Sequence, residues 1–202
     1  QRAFVLYGVN TAIKLAITFL CETGNLFNAV SKAHFPVLYA FENSELSPNH
    51  VFIADNDDIY VSDGYVNSRV VQFSSDGELI QIFGGVKGTG PGEFQAVHGV
   101  ALDSQGNILI NDSENFRVNV FNANGQFVES WPIPSRGGIE VRDNNMTYIS
   151  DVNEGTVSIL INGNLLETAY APRAHGLAVD TDGSIYTSGA SRMTVYKLTR
   201  KD

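Results

Sequence analysis

The chain has 202 residues, of which 43% are hydrophobic and 17% are charged, and this composition is sufficient for one sizeable core. Its formal net charge of −9 disfavours nucleic acid and anionic membrane surfaces as partners, because phosphate groups bind to basic faces. The single cysteine, Cys21, cannot form an internal disulfide bond, so the localisation stays open and includes secreted or periplasmic sites.

Residues 1–47 form an N-terminal segment in which no repeat is clear. Phe4-Val5-Leu6-Tyr7, within residues 4–9, predicts a strand that pairs with residues 194–198 and closes the last sheet. Residues 10–47 predict either a helix with Asn10 as its N-cap or a degenerate fifth blade. The apolar run from Leu15 to Cys21 is too short to cross a bilayer.

Residues 48–202 contain four repeats of about 40 residues, and this self-similarity is the main indicator of the fold. The repeats begin at His50, His98, Gly137 and His175. Each contains a short apolar strand, a turn, a segment similar to Ile-x-x-x-Asp and an alternating strand, and a hairpin such as Asn124-Gly125 often follows. Four short antiparallel strands in such a period predict an all-β protein, a β-propeller whose blades bury their faces against one another.

Several residues of the repeats have predicted structural roles. The innermost strands of two blades should be Val100-Ala101-Leu102 and Leu177-Ala178-Val179. Equivalent turns hold three aspartates whose short carboxylates should accept hydrogen bonds from backbone N–H groups: Asp63, Asp112 and Asp151. We expect Arg69 and Arg117 to brace strands against these turns, and Trp131 to pack at a blade edge.

Repeats two to four resemble NHL repeats. The resemblance is carried by the linker Gly88-Thr89-Gly90-Pro91-Gly92-Glu93-Phe94 and by the pattern Asp112…Asn115-x-Arg117-Val118-x-Val120-Phe121. It implies NHL-type four-stranded blades, of which four are clear in this chain.

The segment Val61-Ser62-Asp63-Gly64-Tyr65-Val66-Asn67-Ser68-Arg69-Val70-Val71-Gln72-Phe73 is similar to the peptidyl-α-hydroxyglycine α-amidating lyase family. This resemblance implies a six-bladed NHL propeller that splits a carbinolamide into a peptide amide and glyoxylate. The family holds zinc near the propeller axis with three histidines from alternate blades. A tyrosine acts as base, an arginine assists, and calcium has a structural part.

Three residues of this chain match the family's site. Tyr65, in Asp-Gly-Tyr, matches the catalytic tyrosine, and His98 and His175 match two zinc-binding histidines. The two histidines occupy the same position two repeats apart, so alternate blades should point both imidazoles at one axial point, where zinc would polarise a substrate hydroxyl. The resemblance thus implies zinc, with calcium as a second candidate ion, and a small peptide as substrate.

The chain also departs from the family. Ser113 stands where the arginine is expected, and Gly176 stands where an aspartate that binds calcium follows the last histidine. The third zinc-binding histidine belongs two repeats before His98, where no residue matches the motif; His34 and His50 are the stand-ins outside it.

The sequence therefore leaves two interpretations open. In the first, the protein is a zinc lyase acting on a peptidyl-α-hydroxyglycine or a related carbinolamide. In the second, it is a non-catalytic NHL propeller that binds a protein or peptide, and His98 and His175 line a wet central channel. A calcium-dependent, lactonase-like propeller is disfavoured, because clustered carboxylates are missing from the predicted axis. Stoichiometric zinc would separate the first two interpretations.

Overall fold

The computed structural model describes residues 48–142, 145–189 and 194–199, which form four antiparallel sheets that follow one another along the chain. The first sheet consists of β1 (His50–Ile53), β2 (Ile59–Asp63), β3 (Arg69–Phe73) and β4 (Leu79–Gly84). The second consists of β5 (Val97–Leu102), β6 (Ile108–Asp112), β7 (Arg117–Phe121) and β8 (Phe127–Trp131), with a 3₁₀ turn at Ser113–Asn115. The third consists of β9 (Ile139–Arg142), β10 (Met146–Asp151), β11 (Thr156–Ile161) and β12 (Asn164–Tyr170). The fourth has three strands in the described residues, β13 (Gly176–Val179), β14 (Ile185–Ser188) and β15 (Val195–Leu198).

Each sheet is a meander in which neighbours in sequence pair in space. The hairpins form where the sequence predicts them, because glycine adopts the positive φ that a tight turn requires, 85° at Gly77 and 77° at Gly125. The strands between the turns are rich in β-branched residues, as in the Arg117-Val118-Asn119-Val120-Phe121 segment of β7.

The sheets pack face to face in chain order. One apolar cluster joins the first sheet to the second and includes Phe83, Phe94 and Val100; a second joins the second sheet to the third around Leu109 and Ile149. A third cluster joins the third and fourth sheets. The first strands, β1, β5, β9 and β13, contact one another in order, as inner strands around an axis do. The predicted all-β propeller, with residues 100–102 and 177–179 in inner strands, is thereby confirmed.

Buried ion pairs hold the turns. The Asp112 carboxylate is fully buried and accepts from Arg117 Nε at 2.9 Å, and Asp63 accepts from Arg69 Nε at 2.8 Å. Arg117 also donates through Nη1 to the Thr89 carbonyl and through Nη2 to the Gly90 and Glu93 carbonyls, at 2.9–3.0 Å. This one guanidinium therefore ties the second blade to the glycine-rich linker that precedes it.

Glu140 links the third and fourth blades. Its Oε2 accepts from the backbone N–H of Val179 at 2.8 Å, and Arg142 lies 3.5 Å from Oε1. Burial raises the pKa of the Glu140 carboxyl, although the Val179 and Arg142 donors oppose that rise. The stability that this raised pKa provides is therefore present at low pH and is lost as pH rises through the folded-state pKa.

We expect Glu140→Gln to be at least as stable as the unsubstituted protein at neutral pH, because glutamine keeps the acceptor and removes a half-buried charge. Glu140→Ala leaves the Val179 N–H without this acceptor and should cost about 1–3 kcal/mol. Urea unfolding at neutral pH measures both. The advantage of Glu140→Gln should vanish below the ordinary carboxyl pKa of 4.5, where glutamate is also neutral. A glutamine variant that is much less stable at neutral pH would contradict this account.

The predicted closing strand at 4–9, the helix or degenerate blade at 10–47, Cys21 and His34 all lie outside the described residues. The pairing of Phe4–Tyr7 with residues 194–198 stays a prediction.

Candidate functional site

His98 and His175 meet at one end of the inner strands. Their Nε2 atoms are 3.2 Å apart, and their rings are nearly perpendicular with centroids 4.8 Å apart. His98 lies on β5, where a bulge between Val97 and Val100 interrupts the pairing with β6, and His175 directly precedes β13. The sequence prediction that these two residues converge agrees with this arrangement.

Both imidazoles are neutral near pH 7. Burial lowers the pKa of His98 to about 4, with a smaller contribution from the charge of His175, and burial also lowers the pKa of His175. The carbonyl of Gly137 accepts a hydrogen bond from the His98 ring. Since Nε2 is the nitrogen that faces His175, a proton on Nδ1 leaves the His98 Nε2 lone pair to accept a hydrogen bond from the His175 ring or to bind a metal ion.

Tyr65 lies beside this pair on the turn after β2. Its side chain is 55% exposed, and its ring stands edge-on to the His98 ring with centroids 6.2 Å apart. Gly64 permits this close approach, because a Cβ at that position would overlap the Val97 carbonyl oxygen. The three residues matched to the lyase family are thus neighbours, with the tyrosine at the solvent-facing side.

We expect Gly64→Ala to push the Tyr65 turn away from β5 and to lower the free energy of unfolding by about 1–3 kcal/mol. Gly106→Ala is the control, because its φ of 79° carries backbone strain but no atom lies within 4 Å of an added Cβ. It should cost about 1–2 kcal/mol from its left-handed backbone alone and leave the site intact. The imidazole NMR signals of His98 report the displacement. Unchanged His98 signals in Gly64→Ala would show that the turn does not depend on this contact.

In the first blade, Asn49 takes the position that histidine has in the second and fourth blades. The backbone N–H of Asn49 donates to the Ser62 carbonyl as that of His175 donates to Ser188, at 3.0 and 2.9 Å. The alignment that begins the first repeat at His50 is therefore displaced by one residue. Asn49 Nδ2 donates to the Val97 carbonyl at 2.8 Å, and among the described residues its buried Oδ1 has no hydrogen-bond partner.

His50 faces the second blade instead. The backbone N–H of Val100 donates to His50 Nδ1 at 3.4 Å, and burial lowers the pKa of His50 to about 4. Across residues 48–142, 145–189 and 194–199, no three side chains of histidine, cysteine, aspartate or glutamate are close enough to hold a metal ion. His50 therefore does not complete a triad with the histidine pair.

The pair itself fits a shared zinc ion. Imidazole nitrogens lie about 2.0–2.1 Å from zinc, so two ligands of one ion must be less than about 4 Å apart, as these two Nε2 atoms are. Two neutral imidazoles are also the right chemical form, since zinc binds the deprotonated nitrogen. The position that the lyase family resemblance assigns to a third histidine lies outside the described residues.

Ser113 and Arg136 complete the surroundings of the pair. The Ser113 hydroxyl donates to the Ala96 carbonyl at 3.0 Å, so its proton is engaged in a hydrogen bond to the backbone. Arg136 lies in the link between β8 and β9, and its charge reaches His98, where it is the smallest of the influences that lower the pKa. The sequence reasoning missed Arg136 and Asn49. The available sequence signal for Arg136 was its place directly before the Gly137-Gly138 pair.

A large cavity lies elsewhere. It has a volume of about 850 Å³, and it is lined by the opposite ends of the inner strands, with Phe52, Leu102 and Val141 among its residues. Two of its carboxylates accept hydrogen bonds within the fold: Asp58 from Gln72 Nε2, and Asp103 from two backbone N–H groups. None of Tyr65, His98 and His175 lines this cavity.

Among the described residues, no helix has the length and apolar character needed to cross a membrane.

Sequence relatives include proteins of peptide amidation and NHL proteins. Peptidyl-glycine alpha-amidating monooxygenase B of Xenopus laevis is 30% identical over 162 residues, which cover 69% of this chain and 18% of that protein. NHL repeat-containing protein 3 of Homo sapiens is 34% identical over 42% of this chain and 25% of its own length. The probable peptidyl-alpha-hydroxyglycine alpha-amidating lyase pgal-1 of Caenorhabditis elegans is 40% identical over 78 residues, 38% of this chain and 22% of that protein.

The chain spans only 18–25% of the length of these relatives. The NHL resemblance of the repeats is confirmed by these matches, and so is the relation to the amidating proteins. The model of the family DUF5128, described as a 6-bladed beta-propeller, matches residues 37–169. This match covers well over half of the chain, and the chain belongs to this family of six-bladed β-propellers.

Proposed function

We propose that this protein is a lyase that splits a peptidyl-α-hydroxyglycine into a peptide amide and glyoxylate. The observation that carries the proposal is the meeting of His98 and His175, 3.2 Å apart between their Nε2 atoms, with Tyr65 beside them. Relatives named as amidating proteins support the substrate class.

His98 and His175 are the residues that would hold zinc. Bound there, zinc would act as a Lewis acid that polarises the substrate hydroxyl. The protein's own contribution is to keep both imidazoles neutral by burial and to orient His98 through the Gly137 carbonyl.

Tyr65 is the candidate proton acceptor. In the reaction the C–N bond of the carbinolamide breaks, the hydroxyl loses its proton and becomes the aldehyde of glyoxylate, and the amide nitrogen gains a proton. A tyrosine at the open side of the histidine pair can contact a substrate that enters from solvent. Ser113 supplies no cation where the lyase family has arginine, so we expect slow turnover.

The test is glyoxylate release from a peptidyl-α-hydroxyglycine by the whole protein after incubation with zinc. We expect His98→Ala to lose bound zinc and activity, and Tyr65→Phe to keep zinc but lose about 100-fold or more in rate. Tyr170→Phe is the matched control, because Tyr170 is exposed on β12 of the third blade. Release that survives both His98→Ala and Tyr65→Phe would refute these roles.

The alternative is a propeller that binds a protein or peptide without catalysis. The observation that favours it is the apolar outer strand β4, where the side chains of Leu79, Ile80 and Ile82 are 58%, 48% and 45% exposed. Stoichiometric zinc without glyoxylate release, or no zinc at all, would favour this second function.

A further inference from the structure

Arg136 directly precedes two residues whose backbone contacts both histidines of the candidate site. The residue after it, Gly137, offers its carbonyl to the His98 ring, and the N–H of Gly138 donates to the His175 carbonyl at 2.9 Å. The backbone at Arg136 is therefore connected to both histidines through its next two residues.

The backbone of Arg136 is also fixed from its other side. Its N–H donates to Asp151 Oδ2 at 2.9 Å, and its carbonyl accepts from the N–H of Val152 at 3.0 Å. These two bonds fix where the side chain leaves the backbone. The Arg136 side chain is 32% exposed, so a ligand that comes from solvent can reach it.

Within the part of the chain that the structure describes, Glu114 is the one side-chain partner of the Arg136 guanidinium. Glu114 directly follows Ser113, and its side chain is 48% exposed. Exposed pairs of this kind contribute little to stability, typically about 0–1 kcal/mol, so a ligand carboxylate can replace Glu114 at small cost. The guanidinium also has N–H groups beyond the one that Glu114 uses.

Two other arginines at this end of the inner strands are held in buried ion pairs. Asp63 pairs with Arg69, and Asp112 pairs with Arg117. The other nitrogens of Arg117 donate to the linker carbonyls. The charge of Arg136 acts on His98, where burial is the main cause of the lowered pKa. The Arg136 guanidinium therefore keeps N–H groups that its ion pair with Glu114 does not use.

We infer that Arg136 binds the carboxylate of a small ligand that approaches the histidine pair, with its guanidinium fork as the recognition element. A planar guanidinium is matched to a carboxylate through two parallel N–H···O bonds, which a neutral amide cannot reproduce. The inference rests on the proposed function, in which that ligand is the carboxylate end of a peptidyl-α-hydroxyglycine. Arg136 would then supply the positive charge that Ser113 does not.

The test compares N-benzoylglycine, which has a carboxylate, with N-benzoylglycinamide, which is neutral, as ligands of the whole zinc-loaded protein by calorimetry. We expect about tenfold tighter binding of the carboxylate, because hydrogen bonds to charged groups are worth about 1.5–3 kcal/mol. Arg136→Gln should abolish this preference, and Arg136→Lys should restore it in part. Retention of the preference in Arg136→Gln, or its absence from the unsubstituted protein, would overturn the inference.

Two further variants separate recognition from a general effect of charge. Glu114→Gln removes the competing carboxylate and should increase the affinity for N-benzoylglycine, which a merely structural ion pair would not predict. Arg142→Gln removes a similarly exposed arginine at the opposite end of β9 and should leave the preference unchanged. Weaker binding in Glu114→Gln would count against the inference.

The inference and the proposed function fail in different ways. A carboxylate preference that depends on Arg136, without glyoxylate release, would refute the lyase reaction and keep the binding site. Glyoxylate release with a KM and a kcat that are both unchanged in Arg136→Gln would keep the reaction and refute the role of Arg136.

Discussion

Arg117→Met is expected to lower the free energy of unfolding by about 3–5 kcal/mol, because it leaves the fully buried Asp112 carboxylate without its cation. The substitution keeps most of the aliphatic packing and removes only the guanidinium. It also removes one hydrogen-bond donor from each of the Thr89, Gly90 and Glu93 carbonyls, so the glycine-rich linker should loosen in the same variant. Urea unfolding followed by the fluorescence of Trp131, the only tryptophan, measures the loss.

Two controls make the prediction specific. Adding Asp112→Asn to Arg117→Met removes the buried charge and should recover part of the lost stability, so the two substitutions should be strongly non-additive. Arg142→Met, in a pair whose side chains are 34% and 27% exposed, should cost less than about 1 kcal/mol. An Arg117→Met loss no larger than that of Arg142→Met would show that the buried pair does not stabilise the blade.

The repeats made the blades predictable, because each strand, turn and hairpin recurs with the same local chemistry. Gly77 and Gly125, which have positive φ, lie in Asp-Gly and Asn-Gly turns, and these dipeptides predict hairpins from sequence. The meeting of His98 and His175 was also predictable, since equivalent positions in alternate blades face one axis. The bracing of turns by Arg69 and Arg117 follows from the same regularity.

The site features that sequence reasoning missed depend on register and on contacts between blades. Whether Asn49 or His50 corresponds to His98 is a one-residue question, and it is decided by which N–H pairs with the Ser62 carbonyl. A shift of one residue along a strand moves a side chain to the opposite face of the sheet. His50 therefore faces the second blade, and Asn49 takes the position equivalent to that of His98 and His175. Arg136 lies in an irregular link, where no periodicity indicates what its side chain contacts.

The metal-free protein is expected to lose stability as pH falls from about 6.5 towards 4. Burial holds the pKa of His50 and that of His98 at about 4, below the ordinary histidine value of 6.5. Between pH 6.5 and 4 these histidines bind protons in the unfolded chain but stay neutral in the folded chain, so protonation favours unfolding. The stability that these neutral histidines provide is therefore complete above pH 6.5 and is lost as pH falls through the folded-state pKa. Because a tenfold change in proton affinity is worth about 1.4 kcal/mol, the loss for His98 is on the order of 3 kcal/mol.

His98→Asn measures this contribution, because asparagine is polar but does not titrate. We expect urea unfolding of the metal-free variant to depend less on pH between 6.5 and 4, and the same comparison with His50→Asn should show a separate reduction. His175 is half-buried and contributes in the same direction. Glu140 acts in the opposite sense, since burial raises its pKa, and Glu140→Gln should leave the acid loss in place. An acid loss of equal size in His98→Asn and in the unsubstituted protein would show that the histidine pair is not the source of the pH dependence, and it would remove the argument that burial keeps His98 ready to bind a metal ion.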